Sequence, residues 1–145
     1  VWECVSWGVA NEKFWLRSAN DCCSPVDTAI ANLRDDRTIF IDLREEGERK
    51  KEGVIPNSQH MPYIRLSDYI KPGGLLRALS EEPERQLMLY CAYGERSALA
   101  LKELRIAGYT NACHLAGGID AWINAGGPVQ DVQSLSNFAK EVVWL

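Results

Sequence analysis

Histidine is scarce in this 145-residue chain, with two residues, and no C-x-x-C pair occurs among its five cysteines. A structural zinc site, which draws its ligands from such pairs and from histidine, is therefore not expected. The cysteines are also too few and too irregularly spaced for a disulfide framework, and the adjacent Cys22 and Cys23 read as two unpaired thiols. That usage suggests a reducing compartment. No apolar run approaches the ~20 residues needed to span a bilayer, so no membrane partner is expected. Positive charge is in deficit, with 16 Lys and Arg against 20 Asp and Glu and a net charge of −4. A pI near 5.2 likewise argues against nucleic acid as a partner. Because the first residue is Val1 rather than Met, a fragment or processed form is expected. A cytoplasmic location is the expectation, with an upstream signal peptide and a periplasmic location left open.

The remaining composition is that of an ordinary globular chain, 25% charged and 46% hydrophobic. Its length suits one domain, able to bury roughly two-thirds of its unfolded surface. Residues 1–24 are aromatic-rich but aperiodic, and read as an extension packed on a domain over 25–128. Ser24-Pro25 resembles an N-cap followed by a first-turn proline, opening a helix over 25–34. TIFIDL (38–43) is a β-branched strand. The charged segment 44–51 reads mostly as a solvated face. A short strand follows at 58–61, then small helices in 65–70 and 75–79. LMLY (87–90) is a buried strand, followed by a helix from Ser97 to Gly108, a strand at 111–115 and a helix at 119–125. The tail 129–145 carries one further amphipathic pattern. Alternation of this kind predicts an α/β fold: a mostly parallel sheet of about five strands with helices on both faces.

Cys91 stands between the 87–90 strand and the following helix, in the loop CAYGER (91–96). A cysteine there faces unpaired amides and the positive end of a helix dipole, which favour thiolate. In isolation it would read as a small buried apolar residue. Gly94, Arg96 and Ser97 beside it reverse that reading. Amides from Ala92, Tyr93, Gly94, Glu95, Arg96 and Ser97 could curl around the sulfur, with Gly94 permitting the tight turn. Arg96 adds a permanent charge suited to an oxyanion, and Ser97 caps the helix. The loop holds no general base, and a thiolate nucleophile needs none. Asp42 and Arg44 close the 38–43 strand, where sites assemble in open parallel sheets, although ion pairing is the plainer role for Asp42.

Three segments, IDLREEGERKKEGVIPNSQHMP, LYCAYGERSALALKELRIAGY and HLAGGIDAWINAGGP, together resemble the single-domain rhodaneses, or rhodanese-like sulfurtransferases, in the family's order. The resemblance covers roughly residues 25–128. It implies double-displacement sulfur transfer through a persulfide on Cys91, from thiosulfate or a persulfide donor to cyanide or a thiol. It makes Cys91 the nucleophile and sulfur carrier, with Arg96 beside it. The cradle is then Ala92, Tyr93, Gly94, Glu95, Arg96 and Ser97, with Asp42 and Arg44 in support. No metal or organic cofactor is implied, and the chain is expected to be a monomer or weak dimer. A sulfur-accepting protein is one conceivable partner.

This chain departs from the family in two places near the loop. Gly53-Val54-Ile55 replaces the frequent Gly-His-Ile, which leaves His60 in the next strand with a structural role. Glu95 places a negative charge inside the anion loop and opposes a doubly charged donor. Phosphatases and arsenate reductases with a related loop place the arginine one residue later, where this chain has Ser97. A regulatory or binding module that kept the fold without turnover, and a protein-to-protein persulfide carrier, are the other readings.

Overall fold

A computed structural model describes residues 23–82 and 85–132 of the chain. The expected extension before residue 23 and the tail after residue 132 lie outside the described residues. Among the described residues five strands form one sheet: β1 (Cys23–Ser24), β2 (Thr38–Asp42), β3 (Gln59–His60), β4 (Gln86–Tyr90) and β5 (Ala112–Leu115). Their order is β1-β5-β4-β2-β3 and every pairing is parallel. The helices are α1 (Val26–Asn32), α2 (Glu46–Glu52), α3 (Leu66–Ile70), α4 (Leu75–Ser80), α5 (Glu95–Ile106) and α6 (Gly118–Asn124), with a 3-10 turn at Tyr63–Arg65.

The pleat sorts the core into two layers, because successive strand residues point to opposite faces. Ile41, Leu87 and Leu89 join Leu66, Leu76, Ala100, Leu101 and Leu104 on one face. Phe40, Met88 and Tyr90 join Ala29, Ile119 and Trp122 on the other. From β2 the chain leaves toward β3 on one side and returns to β4 on the other. The carboxyl ends of β2 and β4 therefore flank the point where the sheet's winding reverses, and such points form crevices. Asp42 and Tyr90 are paired across that point.

The prediction of a parallel α/β sheet holds, and four details differ. Ser24 belongs to β1, paired with β5, so Pro25 rather than Ser24 is the N-cap of α1, with no side-chain cap. The charged segment 44–51 forms most of α2 and is mostly exposed as expected, but Arg49 within it is buried. α5 starts two residues before Ser97, with Gly94 at φ 109 as its N-cap. Cys113 is disulfide-bonded. Spacing alone does not reveal a single bridge, and cysteine usage gives no ground for assigning a reducing compartment. None of the described helices is long and apolar enough to cross a membrane.

Trp122 is the bulkiest fully buried side chain among the described residues. Its ring meets Phe40 edge-on at 5.6 Å, and its indole N–H donates to the Pro128 carbonyl at 2.8 Å. Both the apolar body and the polar tip are thus satisfied. Trp122→Ala is expected to cost about 3–5 kcal/mol by cavity formation. Urea unfolding measures this as a lower midpoint at unchanged slope.

Candidate active site

β4 delivers Cys91 to the crevice, and the backbone must then reverse sharply to enter α5. Gly94 makes that reversal, with a positive φ that a side chain would strain. The Gly94 amide donates to the Cys91 sulfur at 3.1 Å and the Ser97 amide at 3.4 Å. The expected ring of amides thus narrows, among the bonds formed, to these two. Cys91 is buried and carries a free thiol. Ala92 is also buried, whereas Tyr93 and Glu95 are exposed.

Ser97 does not cap α5. It lies inside the first turn, where its hydroxyl is 3.1 Å from the Gly94 carbonyl and 3.7 Å from the Cys91 sulfur. Nδ1 of His114, on β5, is 3.0 Å from the same hydroxyl. Burial holds His114 neutral, with its pKa pushed down to about 4. The sequence reading missed His114, because a histidine in a short apolar strand resembles core.

The back of the loop is held by α6. The Ile119 amide donates to the Cys91 carbonyl at 2.9 Å, and the Asp120 amide to the Ala92 carbonyl at 3.1 Å. A Cβ on Gly118 would fall 2.4 Å from the Ala92 carbonyl oxygen. The paired glycines 117 and 118, readable as a turn, are what lets α6 approach the loop this closely.

Arg96 and Glu48 form a bidentate pair, with N···O distances of 2.9 and 2.8 Å. Hydrogen bonds from Arg96 hold the Glu48 pKa down to about 2. The same bonds lift Arg96 above the usual arginine range, and the Cys91 sulfur adds to that shift. Glu48 is fixed in turn by the amide of Glu45 at 2.9 Å, within a capping box at the start of α2. Glu48 also escaped the sequence reading. The signal was present, in a Glu three residues after Glu45, but it was absorbed into the charge run.

Asp42 and Arg44 are both fully buried and hydrogen-bond to each other rather than to the loop's side chains. Arg44 Nε and Nη2 donate to the two Asp42 carboxylate oxygens at 3.0 and 2.9 Å. Arg49 Nε adds a contact at 3.2 Å and the Tyr90 hydroxyl one at 2.9 Å. Burial works against the Arg44 charge, and hydrogen bonds and charge from Asp42 override it, keeping its pKa raised. Burial raises the Tyr90 pKa as well, with Asp42 adding to it. His60 Nε2 lies 2.8 Å from the Arg44 carbonyl, in keeping with a structural role. Among the described residues no cluster of His, Cys, Asp and Glu is placed to hold a metal.

Asp42→Asn would turn an amide NH2 toward donors that the carboxylate now satisfies, and would leave Arg44 buried without its counter-charge. It is expected to cost about 3–5 kcal/mol, the usual cost of breaking a buried pair, read from equilibrium urea unfolding.

The Rhodanese-like domain family matches residues 25–125. A sulfurtransferase of Allochromatium vinosum is 30% identical over 104 residues, covering 69% of this chain and 83% of its own. An uncharacterized protein of Synechocystis is 34% identical over 95 residues, covering 66% of this chain and 48% of that one. The chain thus spans about half the length of the Synechocystis relative. Among solved structures, a Rhodopseudomonas palustris protein of unknown function, described as a possible tyrosine phosphatase, superposes with a TM-score of 0.69 at 30% identity. That match covers 84% of this chain and 96% of the other. With the family's match running from α1 through α6 and including the Cys91 loop, the chain belongs to the rhodanese-like domain family.

Proposed function

We propose that this domain is a sulfurtransferase that carries sulfane sulfur as a persulfide on Cys91. The observation that carries the reading is the loop itself: a free cysteine at a strand end, two amides on its sulfur and Arg96 closing the turn. The name of the Allochromatium vinosum relative supports the same reaction class. As thiolate, Cys91 attacks the outer sulfur of thiosulfate, the S–S bond breaks and sulfite leaves with the bonding pair. A persulfide remains, one of the reversible caps on cysteine. Cyanide or a thiol then attacks the terminal sulfur and returns Cys91 as thiolate. The amides of Gly94 and Ser97 face the Cys91 sulfur, which bears the negative charge before the first displacement and again after the second. No metal or organic cofactor enters the scheme, and the partners it needs are a small sulfur donor and a thiophilic acceptor.

The tyrosine-phosphatase description of the Rhodopseudomonas palustris neighbour raises the rival chemistry. Loop size argues against it here. Four residues separate Cys91 from Arg96, and the next position, Ser97, is committed to Gly94 and His114 inside the helix. A cradle must fit the group it stabilises, and this shorter ring suits a sulfur atom rather than a phosphoryl group.

Intact-mass measurement after incubation with sulfane-sulfur donors is expected to show one added sulfur on the wild type and none on Cys91→Ala. Thiocyanate formation from a donor and cyanide should vanish with the same substitution. Absence of both signals with every donor favours a binding module, while aryl-phosphate hydrolysis lost in Cys91→Ser would favour a phosphatase. Glu95 is exposed in the first turn of α5, next to Arg96. Glu95→Gln is expected to lower the KM for thiosulfate about two- to fivefold and Glu95→Lys more, as removal of a like charge near a dianion predicts. Steady-state thiocyanate assays across thiosulfate concentrations check this, and an unchanged or higher KM refutes it.

A further inference from the structure

We infer that Glu48 sets the charge preference of the site, disfavouring dianionic donors and favouring an organic hydropersulfide, R–S–SH. This rests on the sulfur-transfer reading and names the donor class for it. Arg96 is the loop's one cation, the group that would otherwise bind an oxyanion. Its guanidinium is engaged chiefly by Glu48, in a two-bond pair at 2.9 and 2.8 Å, with the Cys91 sulfur as the lesser partner. Glu48 cannot easily swing aside, because the Glu45 amide holds its Oε2 at 2.9 Å. With its pKa drawn down to about 2, it stays charged at any working pH.

The neighbouring cations offer no substitute. Arg44 is paired with Asp42 and Glu52, and Arg49 with Asp42 and Glu46. Three guanidinium groups, Arg44, Arg49 and Arg96, therefore meet four carboxylates, those of Asp42, Glu46, Glu48 and Glu52. Glu95 in the loop adds an exposed fifth. Thiosulfate would carry two negative charges toward a cluster in which carboxylates already outnumber guanidinium groups. A hydropersulfide brings a neutral reacting group. The Cys91 thiolate takes its terminal sulfur, the S–S bond breaks, and R–S− leaves with the pair. The proton stays on the transferred sulfur, giving Cys91–S–SH, so atoms and charge balance without a further reactant. Glu48 touches no reacting atom in this scheme and acts through Arg96, as a positioning residue.

The test follows single-turnover loading of Cys91 by intact mass, with thiosulfate and cysteine hydropersulfide as separate donors, on the full chain and on Glu48→Gln and Glu48→Asp. Urea unfolding first establishes that each variant is folded. Freeing Arg96 in Glu48→Gln is expected to raise the second-order loading constant for thiosulfate about tenfold, equivalent to about 1.4 kcal/mol, and that for the hydropersulfide less than about twofold. Glu48→Asp keeps the charge and should keep the wild-type ratio between the donors within about threefold of its value. A purely structural Glu48 would lower both constants together, and that result, or an unchanged ratio in Glu48→Gln, overturns the inference. Loading of Cys91 by neither donor in any variant overturns the sulfur-transfer reading itself, and this inference with it.

Discussion

A carboxylate with no access to water lies at the centre of this domain. Asp42 is fully buried at the end of β2, and a lone charge there would cost several kcal/mol. Its two oxygens are therefore covered by Arg44, Arg49 and the Tyr90 hydroxyl, drawn from the strand's own exit, from α2 and from β4. Each partner is committed further. Arg44 Nη2 donates to the Gly53 carbonyl at 2.7 Å, fixing where α2 ends, and its guanidinium lies 5.6 Å from the centre of the Tyr90 ring. The Tyr90 hydroxyl also meets Ser58 Oγ at 3.0 Å and receives the Ile55 amide at 3.2 Å. One buried charge thus fixes four chain segments relative to one another. Replacing such a pair with apolar groups is often energetically neutral, so its value here lies in arrangement rather than in added stability.

That arrangement is what makes the cysteine loop usable. Tyr90 is bound to Asp42 and immediately precedes Cys91, so the sulfur's position along β4 is referenced to the buried cluster. On the other side α2, seated through Arg49, presents Glu48 to Arg96. Across the sheet, α6 clamps the loop's first two carbonyls, and His114 on β5 holds the Ser97 hydroxyl. The loop is gripped from β2, α2, β5 and α6, although its residues are contiguous in sequence. A site held to this degree needs little reorganisation when charge moves onto or off the sulfur.

Local patterns carried the fold into the sequence. The β-branched run of β2, the apolar run of β4 and the helix-forming stretch after Cys91 each express a preference that the tertiary structure does not override. Cys91, Gly94 and Arg96 were legible for the same reason, since their spacing in one short loop is itself the geometry. What stayed hidden depends on partners distant in sequence. Arg49 looks solvated until Asp42 is known to be its partner, and Glu48 looks like one charge in a run until Arg96, 48 residues on, is placed against it. β1 has two residues, too few to show a period, and exists because β5 offers an edge. Ser97 was misplaced as a cap because Gly94, which carries no side chain to advertise the role, caps the helix three residues earlier.

Arg96 also shows why a motif's charge is not its electrostatics. Counted by residue type, CAYGER holds one cation and one anion and looks neutral with a cation suitably placed. Counted by partner, the cation is already neutralised by Glu48, and the exposed anion, Glu95, is what an approaching donor meets. The pair that holds the loop's arginine in place is the pair that consumes its charge. A carboxylate able to swing away could yield to a strongly anionic donor, but one held by a backbone amide as well as by the arginine gives up two sets of bonds to do so. The same capping contact that starts α2 therefore reaches through Glu48 to Arg96 in the Cys91 loop, so local helix capping and the charge of that loop are tied together by a single side chain.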